Sequence, residues 1–205
     1  MKNRLEISDL SLAYGKRTIL EHISFTLAAG EAVALCGENG SGKTTLLTAA
    51  AGILRPTHGK IRRSGKVGYV PQSAALLEDM TFADNLRYFS AIARARMPQV
   101  LPLCADELRP MRVRDMSGGM KKLCSIVCTL VAAPDILLLD EPYAALDEAH
   151  AAMLTDYLGD FLQNGGSLLI AAHDADEYLP LTSRRLLLTD GSMREETLTR
   201  AETPV

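Results

Sequence analysis

The sequence predicts an α/β fold in which a parallel-sheet core carries an antiparallel β layer at its N-terminus and a compact helical subdomain. Three observations predict it. Residues 31–36, 136–139 and 167–171 are short apolar runs of the kind buried on both faces of a parallel sheet. Residues 5–11 and 22–27 alternate apolar and polar side chains, as half-buried strands do, on either side of the turn Tyr14-Gly15-Lys16. Residues 81–96 have helical character, with Thr81 and Asp84 spaced as a capping box.

Taken in order, the strand at 31–36 runs directly into glycines and then into the helix-favouring run Lys43–Ala51, a strand, loop and helix in sequence. A short strand is expected at 67–71, before the helical block. Proline-broken sequence at 97–110 leads to the run Asp115-Met116-Ser117-Gly118-Gly119-Met120-Lys121-Lys122, and the apolar residues 123–133 behind it predict a buried helix. A helix over Glu148–Gln163 joins the strands at 136–139 and 167–171 in a βαβ crossover, residues 185–189 form a last strand, and residues 194–205 read as a polar tail.

Composition narrows the function. A chain of 205 residues that is 47% apolar can bury a full core. Its net charge of −3 arises from interspersed acids and bases, which leaves no broad basic surface for nucleic acid. Cys36, Cys104, Cys124 and Cys128 lack a paired spacing, and no histidine completes a tetrahedral metal set with the last two, so a reducing compartment is expected. The start MKNRLEISDL has no apolar leader core and the longest apolar run stops at Pro134-Asp135, so the expectation is a cytoplasmic protein that reaches a membrane only by docking on something else.

The strongest motif is Gly37-Glu38-Asn39-Gly40-Ser41-Gly42-Lys43-Thr44, a full match to G-x-x-x-x-G-K-[ST] between a strand and a helix. Glycines there allow backbone N–H groups to turn toward a phosphate, Lys43 adds a point charge, and the Thr44 hydroxyl can ligate Mg²⁺. Mg²⁺ needs a carboxylate at the end of a neighbouring buried strand, and Asp140 has that position. Glu141 beside it is placed to orient or deprotonate an attacking water. Gln72 and His173 follow other strands of the same edge, where each can contact the metal, the water or the terminal phosphate. The Ser117-Gly118-Gly119 turn offers a hydroxyl and free N–H groups ahead of a helix, although such a turn is also ordinary loop punctuation.

The ordered set "GENGSGKT", "YVPQ", "MSGGM", "ILLLDEP", "AALD" and "AAHD" resembles the ATPase subunits of ABC transporters over nearly the whole chain. The resemblance implies a P-loop NTPase, RecA-like core, with residues 1–72 and 134–205 forming the β layer and nucleotide core and residues 73–133 the helical subdomain. It assigns ATP binding to Tyr14, which would stack on adenine, and to Gly37, Asn39, Gly40, Ser41, Gly42, Lys43, Thr44 and Thr45. It makes Gln72, Glu141 and His173 catalytic, Thr44, Gln72 and Asp140 metal-binding, Ser117 to Gly119 a signature acting in trans, and Asp147 part of the D-loop. ATP and Mg²⁺ are then the cofactors. The implied partners are a second ATPase subunit, identical or different, in a head-to-tail dimer, and an integral membrane permease.

Three substitutions depart from the family pattern. Met116 and Met120 stand where leucine and glutamine are usual, and Met120 cannot make glutamine's hydrogen bonds; the SGGM form resembles exporting relatives. Ala144 replaces the D-loop serine. Residues 76–81 are candidates for receiving the permease, with simple packing of the helical insert as the alternative. A soluble ABC protein acting as a mechanical clamp is the second functional class, but the basic faces and tandem or coiled-coil chains of such relatives are missing here.

Overall fold

The computed structural model describes residues 2–172, 181–182 and 184–197. The elements in chain order are β1 (Asn3–Tyr14), β2 (Arg17–Ala28), β3 (Ala32–Gly37), α1 (Lys43–Ala51), β4 (His58–Arg63), β5 (Val67–Val70) and α2 (Phe82–Ala93). After them come α3 (Gly118–Leu130), β6 (Ile136–Asp140), α4 (Glu148–Gln163), β7 (Ser167–Ala172), β8 (Arg184–Thr189) and β9 (Ser192–Thr197). The strands make two sheets, an antiparallel one ordered β2-β1-β4 and a six-stranded one ordered β5-β6-β7-β3-β8-β9. All pairs in the second sheet are parallel except β8 with β9.

The aliphatic strands are central because every residue on them faces a core. On β6, Leu137 and Leu139 join one apolar cluster with α3 and α4, whereas Ile136 and Leu138 join another with α1 and the antiparallel sheet. This is the period-two alternation of a strand covered on both faces. The α1 helix turns Thr44, Thr45 and Thr48 toward solvent, and Leu46, Leu47, Ala49 and Ala50 are all fully buried. Burying each of the two leucines contributes about 1.5–3 kcal/mol, which holds the helix after the glycine loop in place.

Three expectations change. The antiparallel layer has a third strand, β4, whose sequence HGKIRR offers a single aliphatic residue and so carries no alternation to read. The tail expected at 194–205 begins as β9, paired along its length with β8, while residues 198–205 lie outside the described residues. Finally, α3 begins at Gly118 and ends at Leu130, several residues ahead of the apolar run that predicted it. Ser117 explains the earlier start, since its hydroxyl accepts from the Met120 N–H at 3.2 Å and caps the helix. The expected Thr81 cap on α2 is present, with Oγ1 accepting from Asp84 N at 3.2 Å, and Arg94 in the left-handed region (φ 51°) closes that helix.

Candidate functional site

The chain turns sharply where β3 meets α1. Gly37 has φ 150° and Gly42 has φ 105°, and neither has room for a side chain. A Cβ on Gly37 would lie 2.6 Å from the Leu188 carbonyl, and one on Gly42 would lie 2.8 Å from a Leu20 methyl. Gly42 is also the N-cap of α1 and provides no side-chain cap, so the first N–H groups of the helix point into the loop. The Lys43 ammonium is buried and donates to the carbonyls of Gly37 at 2.6 Å and Glu38 at 3.0 Å, inside the curve of the loop. Ser41 Oγ is buried and has no hydrogen-bond partner among the described residues. An orphaned hydroxyl, a buried cation and a helix N-terminus facing one point form a cradle that suits a phosphate.

The ends of β3, β5 and β6 meet beside this cradle. Thr44 Oγ1 donates to Asp140 Oδ2 at 2.7 Å. Asp140 is 1% exposed, and burial raises its carboxyl above the usual carboxylate range, against the Thr44 hydrogen bond, which favours the charged form. The same surroundings push the Tyr69 hydroxyl up to about 12, through burial first and the Asp140 charge second. A hydroxyl and a buried carboxylate are hard oxygen donors, few enough to leave a cation several waters, so the pair fits Mg²⁺. Next along the chain, Glu141 sits in the left-handed region (φ 47°) and its N–H donates to Ala171 O at 3.0 Å. Such a backbone costs on the order of 1–3 kcal/mol in a non-glycine residue and here swings the side chain over the strand ends. Gln72 Nε2 donates to Glu141 Oε2 at 2.9 Å. Asn39, Gly40, Gly42, Lys43, Thr44, Thr45, Gln72 and Glu141 therefore share one cleft of about 320 Å³.

Other expected residues lie elsewhere. Tyr14 is 56% exposed and does not line the cleft, although it pairs across the hairpin with Arg17, which does. His173 lies outside the described residues. Ser117, Gly118 and Gly119 line none of the clefts of the described residues that contain the cradle. The Ser117 oxygen accepts within its own helix, which leaves its O–H free to donate outward. A Cβ on Gly119 would lie 2.5 Å from the Ala145 carbonyl, so the turn before α4 packs directly on the start of α3. Asp147 caps α4 by accepting from His150 N at 2.9 Å, and the His150 bonds, backbone first, hold its carboxyl below the ordinary value.

Two neighbours of the site are not visible in the motifs. Arg17 follows a turn, where a basic residue carries no signal. Lys122 stands at the polar margin of an apolar run, yet it is 4% exposed and donates to the carbonyls of Gln72 at 2.6 Å, Pro71 at 3.1 Å and Asp140 at 3.4 Å. Burial lowers its pKa, against the attraction of Asp140 and Glu141.

A family profile described as "ABC transporter" matches residues 20–144. The chain is 34% identical over 207 residues to the Nod factor export ATP-binding protein I of Paraburkholderia xenovorans, covering 91% of this chain and 68% of that protein. It is also 34% identical over 214 residues to a ribose import ATP-binding protein of Rhizobium etli, covering 91% of this chain and 42% of that longer protein. Among solved structures, the ATP-binding subunit of an ABC transporter superposes with a TM-score of 0.82 at 27% identity, covering 95% of this chain and 90% of that one. No helix among the described residues is long and apolar enough to cross a membrane.

Proposed function

The chain belongs to the ABC transporter family and is an ATP-hydrolysing, ATP-binding subunit with the P-loop NTPase fold, and from that premise we propose how its residues divide the work. Gly37 to Thr45 hold the phosphates through backbone N–H groups and the Lys43 ammonium, and Tyr14 stacks on the base. Thr44 and Asp140, with help from Gln72, would hold Mg²⁺, which when bound would supply charge neutralisation for the phosphates. Glu141 accepts a proton from the attacking water, while Gln72 and His173 position that water and the terminal phosphate. The single observation that carries this reading is the Gln72–Glu141 hydrogen bond of 2.9 Å at the rim of the cleft that holds Lys43 and Thr44.

The signature turn completes the site of a second copy. The Ser117 O–H, the Gly119 N–H and the α3 dipole face the terminal phosphate held by the other chain, with Asp147 beside the interface, and hydrolysis waits on closure. Two chains thus make two whole sites. Residues 73–133 form the helical subdomain and the rest the nucleotide core.

The subunit drives an integral membrane permease, to which it binds peripherally from the cytoplasm. Leu77 and Met80 support the docking role of residues 76–81, because they are exposed while Leu76 packs inward and the buried Asn85 amide clamps the loop through Leu77 N and O. The SGGM form of the signature supports export, although an export and an import subunit match the chain at the same 34% identity. Glu141→Gln tests the central assignment. It should lower steady-state phosphate release by about 10²–10⁴-fold and leave ATP binding intact, since the cradle and metal ligands remain. Turnover equal to that of the unaltered protein would remove Glu141 from the mechanism.

A further inference from the structure

The signature helix carries two successive lysines that face opposite ways. Lys121 points outward and pairs with Glu78 at 2.9 Å, with that glutamate 64% exposed. Exposed pairs of this kind contribute little to stability. Lys122 points inward and uses all three of its donors on backbone carbonyls, those of Pro71, Gln72 and Asp140. These carbonyls belong to the segment just past the end of β5 and to the last residue of β6. Pro71 has no N–H of its own, so the chain leaving β5 at that point depends on being held through its acceptors. Removing a buried ammonium from three carbonyls leaves each of them short of a donor, which favours a shifted backbone.

We propose that Lys122 is a positioning residue for hydrolysis, whose ammonium ties the start of α3 to the backbone that presents Gln72 and Glu141. It lies five positions after Ser117, the cap of the same helix, and its contacts lie at Gln72 and at the residue before Glu141. A displacement of α3 at the signature end is thereby carried into the Gln72–Glu141 pair, so the group that engages a neighbouring molecule's phosphate also sets the geometry of its own chain's water-handling residues. The inference rests on the roles given above to Gln72 and Glu141.

A double-mutant cycle on the full chain tests it. Lys122→Met, close in volume but without donors, should lower kcat by roughly 10–100-fold while KM for ATP stays within about twofold, the signature of misplaced rather than missing catalytic groups. In a Gln72→Ala background the same change should cost clearly less, because one of the two side chains that it positions is gone. In the nucleotide-free protein, amide exchange should quicken at residues 72–73 and 141 and stay unchanged in β3 and α1. Lys122→Gln, which keeps an N–H donor, should restore part of the turnover, and it takes the place of Lys122→Met in the cycle if that variant does not fold. The proposal is overturned if the loss of kcat is undiminished in the Gln72→Ala background, if KM rises in step, or if exchange quickens throughout the core. Gln72→Ala with unaltered turnover would instead overturn the role of Gln72 itself, and this inference with it.

Discussion

The turn that opens α1 and the turn that opens α3 each end in a helix N-terminus, and the rest of the chain treats them differently. Around the first, the ends of β5 and β6 and the start of α1 bring Lys43, Thr44, Gln72 and Glu141 into a single cleft, with Asp140 hydrogen-bonded to Thr44. Around the second, the described residues place the helix end, its cap Ser117, the Ala145 backbone packed on Gly119 and the exposed Lys121–Glu78 pair. A helix N-terminus attracts an anion by about 0.3–2 kcal/mol, which is far less than a catalytic site needs. On the function proposed above the second turn is a donor surface, and among the described residues it shares no cleft with a buried carboxylate such as Asp140.

The glycines of the two turns differ in kind as well. Gly37 and Gly42 are required by backbone angle and by close neighbours together, whereas Gly119 has an ordinary angle and is required only by the Ala145 carbonyl. The comparison can be broken most severely through the carboxylates of the first turn, which is where Glu141→Gln acts. A smaller effect, on the second turn alone, is expected from Gly119→Ala. Its Cβ must displace the turn before α4 at a cost of about 1–3 kcal/mol, so turnover should fall at least about tenfold while equilibrium ATP binding to the cleft is kept. Fluorescent-nucleotide titration beside phosphate release separates the two quantities. Loss of binding in step with turnover would show that the second turn already belongs to its own chain's cleft.

The smallest effect is expected from Met120→Gln. The Met120 side chain packs against the apolar cluster under α3, and only its backbone N–H takes part in the Ser117 cap. Restoring an amide there should leave kcat within about twofold and lower stability by about 1 kcal/mol or less, read as a small fall in melting temperature. A strong gain in turnover would give the side chain a part in the phosphate-facing surface that its packing does not suggest.

What could be read in the sequence follows from how locally each feature is encoded. The strands β3 and β6 announce themselves because burial on both faces demands unbroken aliphatic runs, and the cradle does so because phosphate contact demands glycines at fixed spacing. Asp140 and Glu141 are legible because they directly follow such a run. The strand β4 is not, since its edge position asks for only Ile61 inside, and β9 is not, since backbone bonds to β8 and the Arg184–Glu195 and Arg185–Glu196 pairs hold it, with Met193 as its single apolar residue on the core. Lys122 was hidden for a related reason. A lysine at the start of a helix usually faces water, and only the carbonyls of two distant strand ends turn it inward.

On the function proposed above, the α3 turn serves a cleft in another molecule. The direct measurement is sedimentation velocity of the Glu141→Gln protein with saturating MgATP, alone and combined with Ser117→Arg, which places bulk and charge on the α3 surface and leaves the cleft untouched. The Glu141→Gln protein should sediment as a dimer that falls apart when nucleotide is removed, and the double variant should bind ATP equally well yet remain a monomer. A double variant that dimerises as readily as the single one, or a single variant that stays monomeric with ATP bound, would contradict the account.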